Sequence, residues 1–186
     1  DQATALADIF IGAGSDLPAI RAGLDAMPPV LTARLPTDLA AIQVVQHRKD
    51  LFFQIVLPLI LKENARIASE RARLQDLAKS AGETLSIDDR VWLTRLTWHY
   101  RLLREGQEAS SDAATFEALR LRIDGIPVVL AMAQAAEESG WGTSRFAIKG
   151  NALYGQWAWR QTDGLTPAAR DAGKSHVVRA FPDLAT

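Results

Sequence analysis

The segment that decides the fold reads Gln134-Ala-Ala-Glu-Glu-Ser-Gly-Trp-Gly142. It overlaps an apolar run, Val128 to Ala136, which is typical of a central buried helix with Pro127 in its first turn. Packing favours small or aliphatic residues at the end of such a helix, and the negative end of the helix dipole disfavours carboxylates there. The two glutamates therefore stand against local preference, which indicates that at least one of them has a function.

Only one of the two glutamates can point into a given cleft, because adjacent helical residues project about 100° apart. The helical period does not say whether that residue is Glu137 or Glu138. Partial burial at a helix C-terminus disfavours a charged carboxylate, so the pattern predicts a carboxyl group that can hold and donate a proton. An ordinary exposed last turn, with Gly140 as the C-cap, is the alternative.

The sequence on both sides of this segment predicts a mainly helical chain with a small β-lobe. Prolines before residue 40 favour short helices joined by turns, and residues 40–149 are essentially helical, with Pro58 expected to kink or divide a long helix. After Gly150, asparagine, glycine and aromatic residues dominate, and Ser175 to Phe181 is typical of a short strand. We expect strands only beyond residue 150.

Composition and charge narrow the classes of function. A formal net charge of -1 over 186 residues argues against a protein that neutralises nucleic-acid phosphates. The absence of cysteine excludes disulfides, thiolate metal sites and cysteine nucleophiles. His47 and His99 lack a paired ligand at helical spacing, so we assign them no metal or other role. No apolar run approaches the roughly 20 residues of a membrane-spanning helix. We predict no cofactor.

Two longer motifs carry a resemblance to a known family. Ala133 to Ala147, which contains the whole of the opening segment, is followed closely by Gly150-Asn-Ala-Leu-Tyr-Gly-Gln-Trp157. Together they resemble the bacterial β-N-acetylglucosaminidases of glycoside hydrolase family 73, particularly the Bax-like branch. Upstream, Arg48 to Leu61, with Asn64 and Arg71, is similar to the helical part that precedes the catalytic motif in that branch. The resemblance covers the chain from about residue 40 onward.

The resemblance implies a lysozyme-like α+β domain that binds the glycan strand of peptidoglycan and hydrolyses the β-1,4 bond after N-acetylglucosamine. We place this domain at residues 111–186, after a helical N-terminal region at residues 1–110. The glutamate of the family motif Glu-Ser-Gly-Trp-Gly falls on Glu138, which is the implied general acid. Glu137 stands where the family carries a neutral residue, so it receives no catalytic role. The resemblance also implies an exported protein of the periplasm or cell envelope.

Aromatic and amide side chains after the motif are candidates for substrate binding. The rings of Tyr154, Trp157 and Trp159 can stack on the apolar faces of sugars, and Asn151 can bind a hydroxyl or acetamido group. For the two tryptophans, packing between the lobes is an equally open alternative. Trp141 is expected to lie in the core.

A second catalytic carboxylate is not evident in the sequence. Retaining and inverting glycosidases place it about 5 to 9.5 Å from the acid. Val177 stands near the position where family enzymes carry an acidic residue in the β-lobe. Asp163 and Asp171 are weak candidates, because each is typical of a turn beside a glycine. If neither reaches the cleft, the acetamido group of the sugar can act as the nucleophile, which leaves the stereochemistry open.

Other readings of the chain stay open. A lytic transglycosylase shares the fold and the Glu-Ser start, but it would carry a Gly-Leu-Met-Gln-like segment where this chain has Gly150-Asn-Ala-Leu-Tyr-Gly155. A non-catalytic peptidoglycan-binding or helical interaction module is the other class. Family members continue past the Phe181 region, so the resemblance implies a domain truncated at its C-terminal end. The sequence does not set the oligomeric state.

Overall fold

The protein is mainly helical, with one small antiparallel sheet. The computed structural model describes residues 2–104, 106–168, 173 and 175–186. In this part of the chain the elements are, in order, α1 (Gln2–Gly12), α2 (Leu17–Arg21), α3 (Val45–Ala78), α4 (Ile87–His99), α5 (Ala113–Arg120), α6 (Val128–Glu138), α7 (Arg145–Gly150), β1 (Trp157–Ala158), β2 (Gly164–Leu165) and β3 (Val177–Arg179). The predicted class is confirmed, because every described strand lies beyond residue 150.

Helix α3 shows how packing overrides a local signal. Pro58 lies inside this helix, which runs without interruption from Val45 to Ala78, so of the two expected effects, a kink or a division, Pro58 does not cause the division. A proline removes one helical hydrogen bond and crowds the preceding turn. Here Pro58 is buried, and Ile55 and Val56 beside it are almost fully buried. Burial of this apolar face stabilises the helix across the proline.

The chain forms two compact units, one of Asp1–Leu61 with Pro127–Thr186 and the other of Lys62–Ile126. This division differs from a boundary at residue 110, because the beginning of the chain packs into the same core as α6. Ala3 and Phe10 of α1 share that core with Phe52, Met132 and Ala135. The division of the sequence into residues 1–110 and 111–186 stays a prediction.

Hydrogen bonds connect the first forty residues to each other and to the rest of the first unit. The carboxylate of Asp38 accepts from the backbone N–H groups of Gln2 and Ala3, at 2.9 and 3.0 Å, and so caps the start of α1. Near the other end of the chain, the N–H of Leu184 donates to the carbonyl of Ala33 at 2.9 Å. The N-terminal segment is therefore part of the unit that carries the candidate site.

The second unit has its own core, and side-chain hydrogen bonds hold one of its turns. Six buried residues form that core: Leu74, Leu93, Leu96, Phe116, Leu119 and Ile123. The side chain of Asn64 donates to the carbonyl of Ile126 at 2.8 Å and accepts from its N–H at 3.1 Å. Arg71 donates to the carbonyls of Arg120 and Ile123. Asn64 and Arg71, which contribute to the family resemblance, thus hold the turn that follows α5.

Helix α6 is buried on one face only. Four residues of this helix lie in the core: Ala131, Met132, Ala135 and Ala136. Val129 is 82% exposed and Leu130 is 50% exposed. The expectation of a central buried helix therefore holds for one face only, because the side that carries Val129 is exposed. None of the described helices is both long enough and apolar enough to cross a membrane.

The sheet follows the helices and has the order β1-β3-β2, with both pairs antiparallel. In β1, Trp157 pairs with Val178 and Ala158 pairs with Val177. Gly164 of β2 lies so close to β3 that a Cβ at this position would be 2.0 Å from the carbonyl oxygen of Val178. Glycine is therefore required where β2 meets the central strand.

Candidate active site

The Ser-Gly-Trp-Gly part of the motif ends helix α6 directly after Glu138. Ser139 is fully buried, and its hydroxyl accepts from the N–H of Gly142 at 2.8 Å and donates to the carbonyl of Ala135. The next three residues, Gly140, Trp141 and Gly142, have φ angles of 58°, 57° and 75°. Three successive left-handed residues reverse the chain, and glycine adopts that conformation with little strain. This turn fixes Glu138 as the last residue of the helix.

The same turn packs its tryptophan onto α3. The ring of Trp141 contacts Phe52 edge to face, with centroids 5.8 Å apart, and Phe53 at 6.0 Å. The ammonium of Lys49 lies 4.5 Å from the centre of the indole, a cation–π distance. Trp141 is partly buried and packs against the core, in agreement with the expected structural role.

Glu138 lies beside the segment that leads into the β-lobe. A Cβ built on Gly155 would be 3.5 Å from Oε2 of Glu138, and Gly155 has a φ of +61°. The absence of a side chain at residue 155 therefore leaves space for the carboxylate. Glu138 is exposed, so the expected partial burial of this acid is wrong. The structure thus places an exposed acid against the backbone of Gly155.

Glu137 points to a different environment. It lines a cavity of about 780 Å³ whose other walls are almost entirely apolar and include Met132 and Trp141. We expected the cleft to border Glu138, whereas this cavity borders Glu137. Sugars need polar partners for their hydroxyl groups, so we do not interpret the apolar cavity as the glycan site. The roughly 100° between adjacent helical residues accounts for the separation of the two carboxylates.

Asn151 follows α7 and has a structural contact that the sequence did not reveal. Asn151 is the C-cap of α7 and has a left-handed φ of 51°. Only 5% of the residue is exposed. Nδ2 donates to the carbonyl of Phe181 at 2.9 Å, next to a bond from the N–H of Phe181 to the carbonyl of Gly150 at 2.8 Å. Oδ1 is buried without a hydrogen-bond partner among the described residues. A contact from Asn151 to a sugar stays a prediction.

In the sequence, Tyr154 follows Asn151 by three residues and directly precedes Gly155, the glycine beside Glu138. Its side chain is half-exposed, and partial burial raises the pKa of its phenol above the usual value. Tyr154 and Asn151 both line a small cavity of about 110 Å³ that also borders Phe181. The phenol therefore remains a neutral hydrogen-bond donor throughout the neutral pH range.

Trp157 and Trp159 lie at the surface, with 64% and 69% of their area exposed. Their rings meet edge to face, with centroids 6.5 Å apart. His176 stacks on Trp157, with centroids 4.4 Å apart and an angle of 11° between the rings. Sequence reasoning missed His176. The signal that could have found it is a histidine within the predicted strand segment Ser175 to Phe181, which follows two alternate tryptophans in the sequence.

Of the two weak candidates for a second catalytic carboxylate, Asp163 lies among the described residues. Asp163 binds Arg160 at 2.9 Å, and this hydrogen bond lowers the pKa of Asp163 below its usual value. Val177 is fully buried in β3. Asp171 lies outside the described residues. In the part of the chain that is described, no group of three histidine, aspartate or glutamate side chains is placed to hold a metal ion.

Comparisons with known proteins support the predicted resemblance. Residues 114–186 match the family model of mannosyl-glycoprotein endo-β-N-acetylglucosaminidase, and this segment contains Glu138 and the aromatic residues after it. The chain is 33% identical over 108 residues to Protein bax of Escherichia coli (strain K12). That match covers 58% of this chain and 38% of the length of the relative. No solved structure matches the chain. The family match supports glycan hydrolase activity at the level of the family.

Proposed function

We propose that this chain hydrolyses peptidoglycan at the β-1,4 bond after N-acetylglucosamine, with Glu138 as the general acid. One observation carries the proposal: the carboxylate of Glu138 lies against Gly155, within the segment that resembles the glucosaminidases. The chain continues from Gly155 through one residue to the exposed ring of Trp157. The two Cα atoms are therefore at most about 7 Å apart.

An acid that lies against a segment carrying exposed aromatic residues suits a sugar substrate. Aromatic rings present flat apolar surfaces to the C–H faces of pyranose rings, while the acid reaches the oxygen that joins two sugars. Glu138 donates its proton to that glycosidic oxygen as the bond from the anomeric carbon to the oxygen breaks. Water then adds to the anomeric carbon, and the proton released from water restores the acid.

The group that assists at the anomeric carbon is the second part of the proposal. Arg160 donates a hydrogen bond to the carboxylate of Asp163, three residues further along the same turn. This bond stabilises the charged form of Asp163 and engages its side chain. We therefore favour the acetamido group of the substrate as the internal nucleophile over Asp163. It adds to the anomeric carbon as the leaving group departs, and water opens the resulting ring. This route retains the anomeric configuration.

The end groups of digested peptidoglycan test the reaction type. Purified glycan is incubated with the protein, reduced with borohydride and analysed by mass spectrometry. We expect reducing ends that carry N-acetylglucosamine. Anhydro-muramyl ends would indicate a lytic transglycosylase and contradict the proposal, as would reducing muramic acid ends. The absence of any cleavage would favour a non-catalytic peptidoglycan-binding module.

Substitution of Asp163 tests the choice of nucleophile. We expect Asp163→Asn to retain the cleavage rate within about threefold, because it removes only a solvent-exposed ion pair with Arg160. The rate of release of reducing ends is the measurement, and Arg160→Gln is the matched control that breaks the same pair from its other side. A loss of a hundredfold or more in Asp163→Asn alone would make Asp163 the second catalytic carboxylate.

The proposed substrate also indicates where in the cell the protein acts. Cleavage of this polymer requires contact with the cell envelope, so we propose an exported protein of the periplasm or envelope. The similarity to Protein bax and the family match support the substrate class, and the location follows from the substrate.

A further inference from the structure

The pairing of β1 with β3 brings three aromatic rings together in the β-lobe. Trp157 pairs with Val178 and Ala158 with Val177. Trp159 follows β1 directly and His176 directly precedes β3, so both lie at the same end of this pairing. The contacts among the rings of Trp157, Trp159 and His176 bring all three together there.

Each of the three rings contacts the other two, and we call this set the three-ring platform. His176 stacks on Trp157 with centroids 4.4 Å apart. It also lies edge-on to Trp159, with centroids 6.5 Å apart at an angle of 78°. Both indoles are mostly exposed, whereas His176 is partly buried. The exposed indoles are thus available to contact a ligand, and the histidine packs against them.

We infer that His176 is a positioning residue, which holds the indole of Trp157 in the orientation that receives a sugar ring. This inference rests on the proposed function. An exposed tryptophan without a stacking partner samples several rotamers, and ordering it on binding weakens affinity. A stacked imidazole restricts the indole before the glycan arrives. His176 therefore acts on substrate binding through Trp157 and takes no part in proton transfer.

A purely structural role predicts a different outcome. His176 is not part of the main core, so removal of the imidazole leaves the core of the first unit in place. If His176 supports the platform, its loss weakens glycan binding and raises KM, while kcat stays unchanged because Glu138 and Gly155 are not altered. A role in folding would instead lower the thermal midpoint and reduce all activities together.

The test compares His176→Ala with His176→Phe, which replaces the imidazole by another planar ring. Binding is measured in the Glu138→Gln background, with glycan strands freed of peptide by an amidase as the probe. We expect His176→Ala to raise Kd by about two- to tenfold, from the loss of one aromatic pair, and His176→Phe to restore it within about twofold. The near-UV circular dichroism of the tryptophans should change in His176→Ala and recover in His176→Phe.

Two tryptophan variants complete the experiment. Trp157→Ala should weaken binding at least as much as His176→Ala, whereas Trp98→Ala, which removes a tryptophan 59% exposed on α4, should leave Kd unchanged. An unchanged Kd in His176→Ala beside a weakened Trp157→Ala overturns the inference and leaves the proposed function intact. Failure of His176→Phe to restore binding overturns it as well, because stacking is then not the cause. If Trp157→Ala also binds normally, the platform is not the glycan site, while the end-group analysis judges hydrolysis independently.

Discussion

Glu138→Gln is expected to lower the rate of peptidoglycan cleavage by about 10²- to 10⁴-fold, the usual contribution of a general acid. Glutamine keeps the shape and the hydrogen-bonding reach of the side chain, but it cannot deliver a proton to the glycosidic oxygen. Since Glu138 is exposed at the end of α6, the substitution leaves the core unchanged. Release of reducing ends from purified peptidoglycan measures the rate, and thermal unfolding checks the fold.

Glu137→Gln is the matched control, because it makes the same chemical change one residue away. Glu137 lines the apolar cavity and not the segment around Gly155, so its loss should leave most of the cleavage rate. Equal rates in the wild type and Glu138→Gln would refute the acid role and favour a binding module. A large loss in Glu137→Gln, with Glu138→Gln near normal, would move the acid to the neighbouring residue.

The elements of the fold could be predicted wherever one local signal was sufficient. The change from helical periodicity to turn and aromatic residues after Gly150 correctly set all the described strands beyond that point. The N-cap of α4 is also a local feature: the side chain of Ser86 accepts from the N–H of Asp89, three residues further on. These features depend on neighbours within a few residues, which the sequence displays directly.

Features that depend on distant packing could not be predicted. The continuity of α3 through Pro58 depends on burial around the proline, and the membership of Phe10 in the main core depends on contacts with residues more than a hundred positions away. The open face of α6 illustrates the same limit. An apolar composition shows that Val129 can be buried, but only the surrounding elements determine whether it is.

The site shows a similar division between chemistry and placement. The motif identified Glu138 as the candidate acid, and the roughly 100° between adjacent residues predicted that Glu137 would face elsewhere. The sequence could not show that Gly155 lies against the carboxylate or that the amide of Asn151 binds Phe181. His176 escaped notice because its partner rings lie in an earlier segment of the chain, and only the folded structure brings the rings together.

Gly142→Ala is expected to lower the free energy of unfolding by about 2–5 kcal/mol, from two causes that act together. Gly142 has a φ of +75°, which strains any residue with a Cβ. A Cβ at this position would also lie 2.9 Å from Phe52 and 3.0 Å from Leu39, which are both fully buried and cannot move aside freely. Urea denaturation of the wild type and the variant measures the difference.

Gly14→Ala separates the two causes. Gly14 has a φ of +82°, but a Cβ there would meet nothing within 4 Å, so this variant carries the backbone strain alone, about 1–2 kcal/mol. A larger loss in Gly142→Ala then measures the clash with the core. Equal losses in the two variants would contradict the close packing of the Gly-Trp-Gly turn on α3. Gly142 shapes the turn and gives no group to the reaction. The folded fraction of Gly142→Ala should therefore still cleave peptidoglycan, whereas folded Glu138→Gln should not.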